Sequence, residues 1–219
     1  MEQKAKIAAA RPKRAAKPAA PYHHGALPQA LLAAAERILE RDGMQGLTLR
    51  AMARDAGVSH TAPQHHFGDM AGVLSELAAI GFARLRATML ANAHDASLER
   101  RGNAIGRGYV AFAQANPGLF LLMFRGERLD MTRPALRKAA DECFAVLEQT
   151  GAAWAFAEGG PPLARAAAVT ARWSLVHGLA FLLIDNRLRP IMNWLGKTSS
   201  VDDLIDATLA SMQAQAATS

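Results

Sequence analysis

Apolar residues recur along this chain at helical spacing, and long alternating β-branched runs are absent. Leu31, Ala35 and Ile38 share one face of a segment that opens at Pro28 and ends at Gly43. Leu49, Met52, Ala53 and Ala56 then fall at i, i+3, i+4 and i+7, which predicts a short second helix with one apolar stripe. Thr48 stands ahead of that stripe, where a hydroxyl can accept from free backbone N–H groups. Gly57 breaks the helix and permits a turn that residues with a Cβ resist. Ser59 is the predicted N-cap of a third helix, which turns His60, Thr61, Gln64 and His65 outward. Pro63 lies near the end of its first turn, so the helix is expected to be short and irregular at its start. Asp69 caps a longer fourth helix carrying Val73, Leu77 and Ile80.

Further helices follow, separated by turn signals. Ile105, Tyr109 and Phe112 mark the first of them, over Arg100–Ala115. Asn116 and Pro117 fit the cap and first position of the next, which spans the apolar run Leu119–Phe124 and closes at Gly126. Thr132 fits the cap of a helix with Leu136, Ala140, Cys143 and Leu147 inward and Gly151 past its end. After the loop Gly159-Gly160-Pro161-Pro162 comes the longest helical pattern, Leu163–Arg187. Ser200, Asp202 and Asp203 start a last helix with Val201, Leu204, Ile205, Leu209 and Met212 on one side. The expected fold is all-α: an N-terminal three-helix head with a connecting helix over residues 21–90, then a C-terminal helical bundle over residues 91–219. The helices at 163–187 and 201–215 are apolar over a wide arc, so one face serves the subunit core and the other calls for a partner. Leu204, Leu209 and Met212 are expected to be poorly covered in a lone subunit.

Charge changes the picture at the N-terminus. Residues 1–20 carry Lys4, Lys6, Arg11, Lys13, Arg14 and Lys17 against Glu2 alone, a net +5 of the whole chain's +6. This Ala- and Pro-rich tail lacks apolar periodicity and reads as disordered. It is either an arm that follows DNA phosphates or a passive solubilising extension. No apolar stretch of about 7–15 residues follows the charges, so the tail is a poor secretory signal. The apolar run Gly178–Ile184 is too short to span a bilayer, and no membrane partner is expected. A single cysteine, Cys143, excludes an internal disulfide and fits a reducing cytoplasm.

Two short helices joined by a tight turn over Thr48–Phe67 form the layout of a DNA-binding helix-turn-helix. Short polar side chains at the start of its second helix suit base edges in a major groove. At this spacing, with AGVS (Ala56–Ser59) and HF (His66–Phe67), residues Tyr22–Arg86 resemble the TetR family of bacterial one-component repressors. YHHG (Tyr22–Gly25), VSHTAP (Val58–Pro63) and WSLVHG (Trp173–Gly178) are similar to the subgroup whose C-terminal part is called a WHG domain. The resemblance implies a cytoplasmic, ligand-responsive transcriptional repressor. It also implies a homodimer paired through its last two long helices, so that two heads read a pseudo-palindromic operator. The expected DNA-contacting residues are Thr48, Ser59, His60, Thr61, Gln64, His65 and His66. Two positions depart from the family: Gln64 stands where it usually has Tyr and Met70 where it usually has Lys, both commonly at DNA phosphates. Gln64 can still donate to phosphate or read adenine, whereas Met70 supplies no charge. These departures keep open an alternative, a small-molecule-binding or interaction protein with weakened DNA affinity.

No HExxH, paired CxxC, GxSxG, Walker loop or GxGxxG occurs, and neither metal, cofactor nor enzymatic activity is expected. Of the seven histidines, His23-His24 and His65-His66 are adjacent pairs, and adjacent helical positions diverge. His177 lies one turn from Trp173 on an apolar helix, beside Gly178. It is either a core histidine held by a backbone carbonyl, with Gly178 permitting close helix contact, or a polar group lining an effector cavity. An apolar or amphipathic effector is expected inside the C-terminal bundle among Tyr109, Phe112, Phe120, Met123, Phe124, Phe144, Leu147, Trp173 and His177, where Met and Phe adapt to irregular apolar shapes.

Overall fold

The computed structural model describes residues 26–155, 161–196 and 198–216. The basic tail, Tyr22–Gly25, Gly159-Gly160 and the side chain of Met212 lie outside the described residues. Among the described residues there are ten α-helices, one 3-10 turn and no strand, as the helical periodicity predicts. Helices α1 (Ala26–Gly46), α2 (Leu49–Asp55) and α3 (Ala62–Phe67) form the head. Helix α4 (Met70–Asn92) leaves the head and packs most extensively against α5 (Leu98–Ala115) and α7 (Pro134–Ala155). The short α6 (Pro117–Met123) wedges against both α1 and α4. Helices α8 (Pro162–Ile184), α9 (Arg189–Leu195) and α10 (Val201–Ala216) complete the bundle, with α8 on α5 and α7 and α10 on α5. One continuous buried cluster runs from Leu31 in the head to Leu209 in α10, so the two parts share a core.

Several local signals act as the sequence indicates. The Thr48 hydroxyl accepts from Ala51 N–H at 3.1 Å, and an Asp69 carboxylate oxygen accepts from Gly72 N–H at 2.8 Å. Ser200 and Asp203 form a reciprocal capping box, with Ser200 N–H on Asp203 Oδ2 at 2.7 Å and Asp203 N–H on Ser200 Oγ at 3.1 Å. Gly57 takes φ +68°, whereas Gly43 at φ +67° kinks α1 without ending it, the helix running on to Gly46.

Other positions differ, each because another partner wins. Helix α1 starts at Ala26, ahead of Pro28, since proline in a first turn lacks only an N–H without a helical acceptor. Helix α3 starts at Ala62 behind Thr61, so Ser59 does not cap it; Ser59 Oγ lies 3.0 Å from Thr61 Oγ1. Pro63 thereby falls at the second helical position, and the helix is a six-residue piece preceded by a turn. Thr132 does not cap α7, which begins at Pro134; its N–H and hydroxyl both go to Asp130 Oδ1, at 3.0 and 2.6 Å. Asn116 precedes α6, but its side chain donates back to the Phe112 carbonyl at 3.1 Å and so closes α5. Helix α6 stops at Met123, and Gly126 opens the 3-10 turn Gly126–Arg128. Helix α7 continues through Gly151 to Ala155, a modest propensity cost of about 1 kcal/mol that a long helix tolerates. The pattern at 163–187 ends at Ile184, and Pro190 starts the separate α9 in its first turn.

Two differences bear on assembly. Taken whole, α8 is long and apolar enough to cross a membrane by length and composition, although its densest run, Gly178–Ile184, is short. Leu209 is not uncovered: it is 4% exposed and converges with Val176 on the space left by the missing side chain of Gly106. Leu209→Ala is therefore expected to cost about 2–5 kcal/mol of subunit stability through the cavity it opens. A urea midpoint equal to that of the wild type would refute this placement.

Candidate DNA interface and the His177 cluster

The turn at Gly57 and the apolar anchors of α3 decide what the head displays. Pro63 and Phe67 are buried, which pins α3 against α1, α2 and α4. Ser59, His60, Thr61, Gln64, His65 and His66 are all exposed, and Thr48 is exposed at the start of α2. The His65 and His66 rings meet edge-on with centroids 5.2 Å apart, nearer than adjacent helical positions suggest. Arg50 and Arg54 on α2 are exposed as well. Three other head arginines are paired within the subunit: Arg37 donates to Asp55 at 2.6 Å, Arg41 to Asp42 at 2.7 Å, and Arg84 pairs with Glu36. Met70 is half-buried and packs on the core, an environment that suits a thioether and not an ammonium group.

In the C-terminal bundle, part of the expected effector set comes together around His177. Its Nδ1 lies 2.8 Å from the Tyr109 hydroxyl, and Trp173 Nε1 lies 3.4 Å from the same oxygen. The indole can only donate, so the Tyr109 oxygen accepts it, and the same hydroxyl shares a second hydrogen bond with Nδ1. Burial lowers the His177 pKa and raises that of Tyr109, which keeps the imidazole neutral and the phenol protonated. Phe124, Phe181, Phe120 and Trp173 ring the imidazole at centroid distances of 4.5, 4.8, 5.6 and 6.0 Å. His177 is thus held by a side-chain hydroxyl and not by a backbone carbonyl. Gly178 is exposed, and a Cβ there would meet nothing within 4 Å, so it makes no close helix contact inside the subunit.

The remaining members of the set sit apart from the ring. Phe112, Met123 and Leu147 are buried in the common core. Phe144 is 42% exposed, touches Trp173 edge-on at 6.0 Å and lines a surface cleft of about 350 Å³ with Glu148, Pro162, Arg165, Ala166, Val169 and Thr170. Phe181 belongs to the cluster and was not singled out from the sequence, although its i+4 spacing from His177 was a usable signal. Cys143 is buried beneath, its thiol pushed up to about 12 by burial and so inert as a nucleophile.

Residues 31–77 match the family of bacterial regulatory proteins named for TetR, and residues 103–212 match a tetracyclin repressor-like C-terminal domain. The chain belongs to the TetR family. It is 30% identical to a structurally determined protein of unknown function from Rhodococcus sp. RHA1, with a TM-score of 0.64 over 90% of this chain and 96% of that one. The TetR-family transcriptional regulator PfmR from Thermus thermophilus shares the fold at 18% identity and a TM-score of 0.53, over 82% and 94% of the two chains. A TetR-family regulator from Streptomyces coelicolor does so at 17% identity and 0.52, over 91% and 99%. No curated protein matches the chain. This TetR protein is accordingly a DNA-binding transcriptional regulator, with its helix-turn-helix in α2 and α3.

The neutral state of His177 in this TetR protein has a pH signature. The folded state disfavours the proton that an unfolded histidine takes up near its ordinary value of 6.5. The stability His177 contributes is therefore complete above that value and lost as pH falls below it. Between about pH 7.5 and pH 5 the wild-type urea midpoint should fall further than that of His177→Gln. Parallel pH profiles would show that His177 does not carry this effect.

Proposed function

We propose that this regulator is a cytoplasmic, homodimeric, ligand-responsive repressor of the WHG subgroup. Its α3 reads a pseudo-palindromic operator, and an apolar or amphipathic small molecule bound in the C-terminal bundle releases the DNA. The exposed polar face of α3, anchored from beneath by Pro63 and Phe67, is the observation that carries the DNA reading. Ser59, His60, Thr61, Gln64, His65 and His66 supply donors and acceptors there, with Thr48 at the neighbouring helix start. The effector site draws on Tyr109, Phe112, Phe120, Met123, Phe124, Phe144, Leu147, Trp173 and His177. The neutral Tyr109–His177 pair gives that largely apolar set a place for hydrogen bonding.

The pairing surface is assigned to the outer face of α8, with α10 beside it. Only 28% of the most apolar window of α8 is buried inside the subunit. Leu163 and Leu182 are 82% and 43% exposed, and the exposed positions between them include Ala167, Ala171, Ser174 and Gly178. Two-fold pairing would bury this face and set two heads at matched spacing. The alternative, a small-molecule-binding or interaction protein with weakened DNA affinity, draws on Met70, whose half-buried thioether supplies no phosphate contact. A salt series separates the two, because operator binding through phosphates weakens linearly in log–log form as salt rises.

Selection of duplex fragments from the source genome tests the DNA reading, and Thr61→Ala or Gln64→Ala should weaken binding to the selected fragment by about 1–3 kcal/mol without loss of helicity. Unchanged affinity in both variants would remove α3 as the reading element. Gly178→Glu tests assembly without disturbing the subunit, since a side chain there meets open space. It should convert a sedimenting dimer into a folded monomer that has lost specific DNA binding. A Gly178→Glu dimer with wild-type operator affinity would overturn the α8 interface.

A further inference from the structure

The loop between α6 and α7 reaches across to the head and grips the end of α3. Arg133 Nη2 donates to the carbonyl of Phe67, the last residue of α3, at 2.9 Å. That carbonyl is one of the terminal acceptors a helix cannot satisfy itself, and a guanidinium is a strong partner for it. The approach depends on Gly72. A Cβ there would stand 2.0 Å from the Phe67 oxygen and 2.5 Å from Arg133 Nη2, so only glycine leaves the path open.

The guanidinium is oriented from both sides. Its Nη1 lies 3.7 Å from Glu76 on α4, and its Nε lies 3.5 Å from Asp130. Asp130 is itself fixed to α4: its N–H donates at 2.8 Å to the hydroxyl of Ser75, which is fully buried and donates to the Ala71 carbonyl at 2.7 Å. The same loop begins just after Phe124, whose ring lies against His177.

We propose that Arg133 is a positioning residue for DNA recognition, through which the C-terminal bundle sets the pose of α3. This rests on the reading of α3 as the operator-reading helix. Arg133 lies in the α6–α7 connection, so a shift of Phe124 would be delivered to Phe67 along the chain as well as through α4.

The test compares wild type with Arg133→Gln on the genomic fragment that the wild type selects and on a random-sequence duplex of equal length at the same salt. The variant should bind the selected fragment roughly tenfold or more weakly, the expected effect of losing a charged hydrogen bond, and the random duplex equally well. Hydrogen exchange should quicken at the His65–Gly68 amides of the free protein. Equal loss on both duplexes would make Arg133 a phosphate contact and overturn the proposal. Unchanged affinity and exchange would overturn it too. Should Arg133→Gln not fold, Ser75→Ala takes its place: it keeps the guanidinium but frees Asp130, and exchange at the same amides should still quicken, unchanged exchange there sinking the proposal. Failure of the wild type to select any duplex would overturn the operator reading, while the exchange measurement, which needs no DNA, decides the Arg133 contact separately.

Discussion

The structure turns on α4, the helix that leaves the head and runs through the bundle. Its first half is buried on nearly every side, through Gly72, Val73, Leu74, Ser75, Leu77, Ala78, Ala79 and Gly81. A helix apolar or small all round must be enclosed by others, and here α1 and α3 close in at one end and α5, α6 and α7 along the rest. Small residues let neighbours come near: the Met123 side chain of α6 occupies the space that a Cβ on Gly81 would take. Interiors packed this closely do not deform smoothly, so α4 cannot shift without carrying the start of the head or the end of α6 with it.

That packing also separates what the sequence could tell from what it could not. Thr48, Asp69 and the Ser200–Asp203 box were legible because a cap acts within three residues of itself. Ser59 and Thr132 look equally suited to capping, but a nearby proline fixes each helix start further on, at Ala62 and Pro134. The outward face of α3 could be read from its polar residues because its anchors, Pro63 and Phe67, follow the helical period. Leu209 could not be placed, since its burial depends on a glycine about a hundred positions away on α5. Arg133 carried no sequence signal either, because nothing local relates it to the Phe67 carbonyl.

The head is electrically economical. Residues 21–90 hold six arginines and six acids, and three of those arginines, Arg37, Arg41 and Arg84, are engaged with Asp55, Asp42 and Glu36 inside the subunit. Exposed pairs of this kind add little to stability, but they hold cations away from an outside partner. With Met70 packed on the core, Arg50 and Arg54 stay exposed on α2, beside the exposed polar side chains of α3. Phosphate contacts position a protein on DNA without reading its sequence, so on the proposed operator reading the pose of α3 decides what the head can read.

The cluster around His177 follows the same economy. Its polar groups form a chain from the Trp173 indole to the Tyr109 hydroxyl to the His177 imidazole, and burial keeps every member uncharged. On the proposed effector reading, such a chain would favour a guest that matches its hydrogen-bonding groups. An ionic guest would find no counter-charge within the ring of Phe120, Phe124 and Phe181 and would bear its own desolvation cost. An apolar guest with one polar group meets no such penalty. Phe124, the aromatic ring nearest the imidazole, stands at the mouth of the loop that ends on α3. On the proposed effector reading, the chemistry that would select the guest and the Arg133 connection to α3 meet at Phe124.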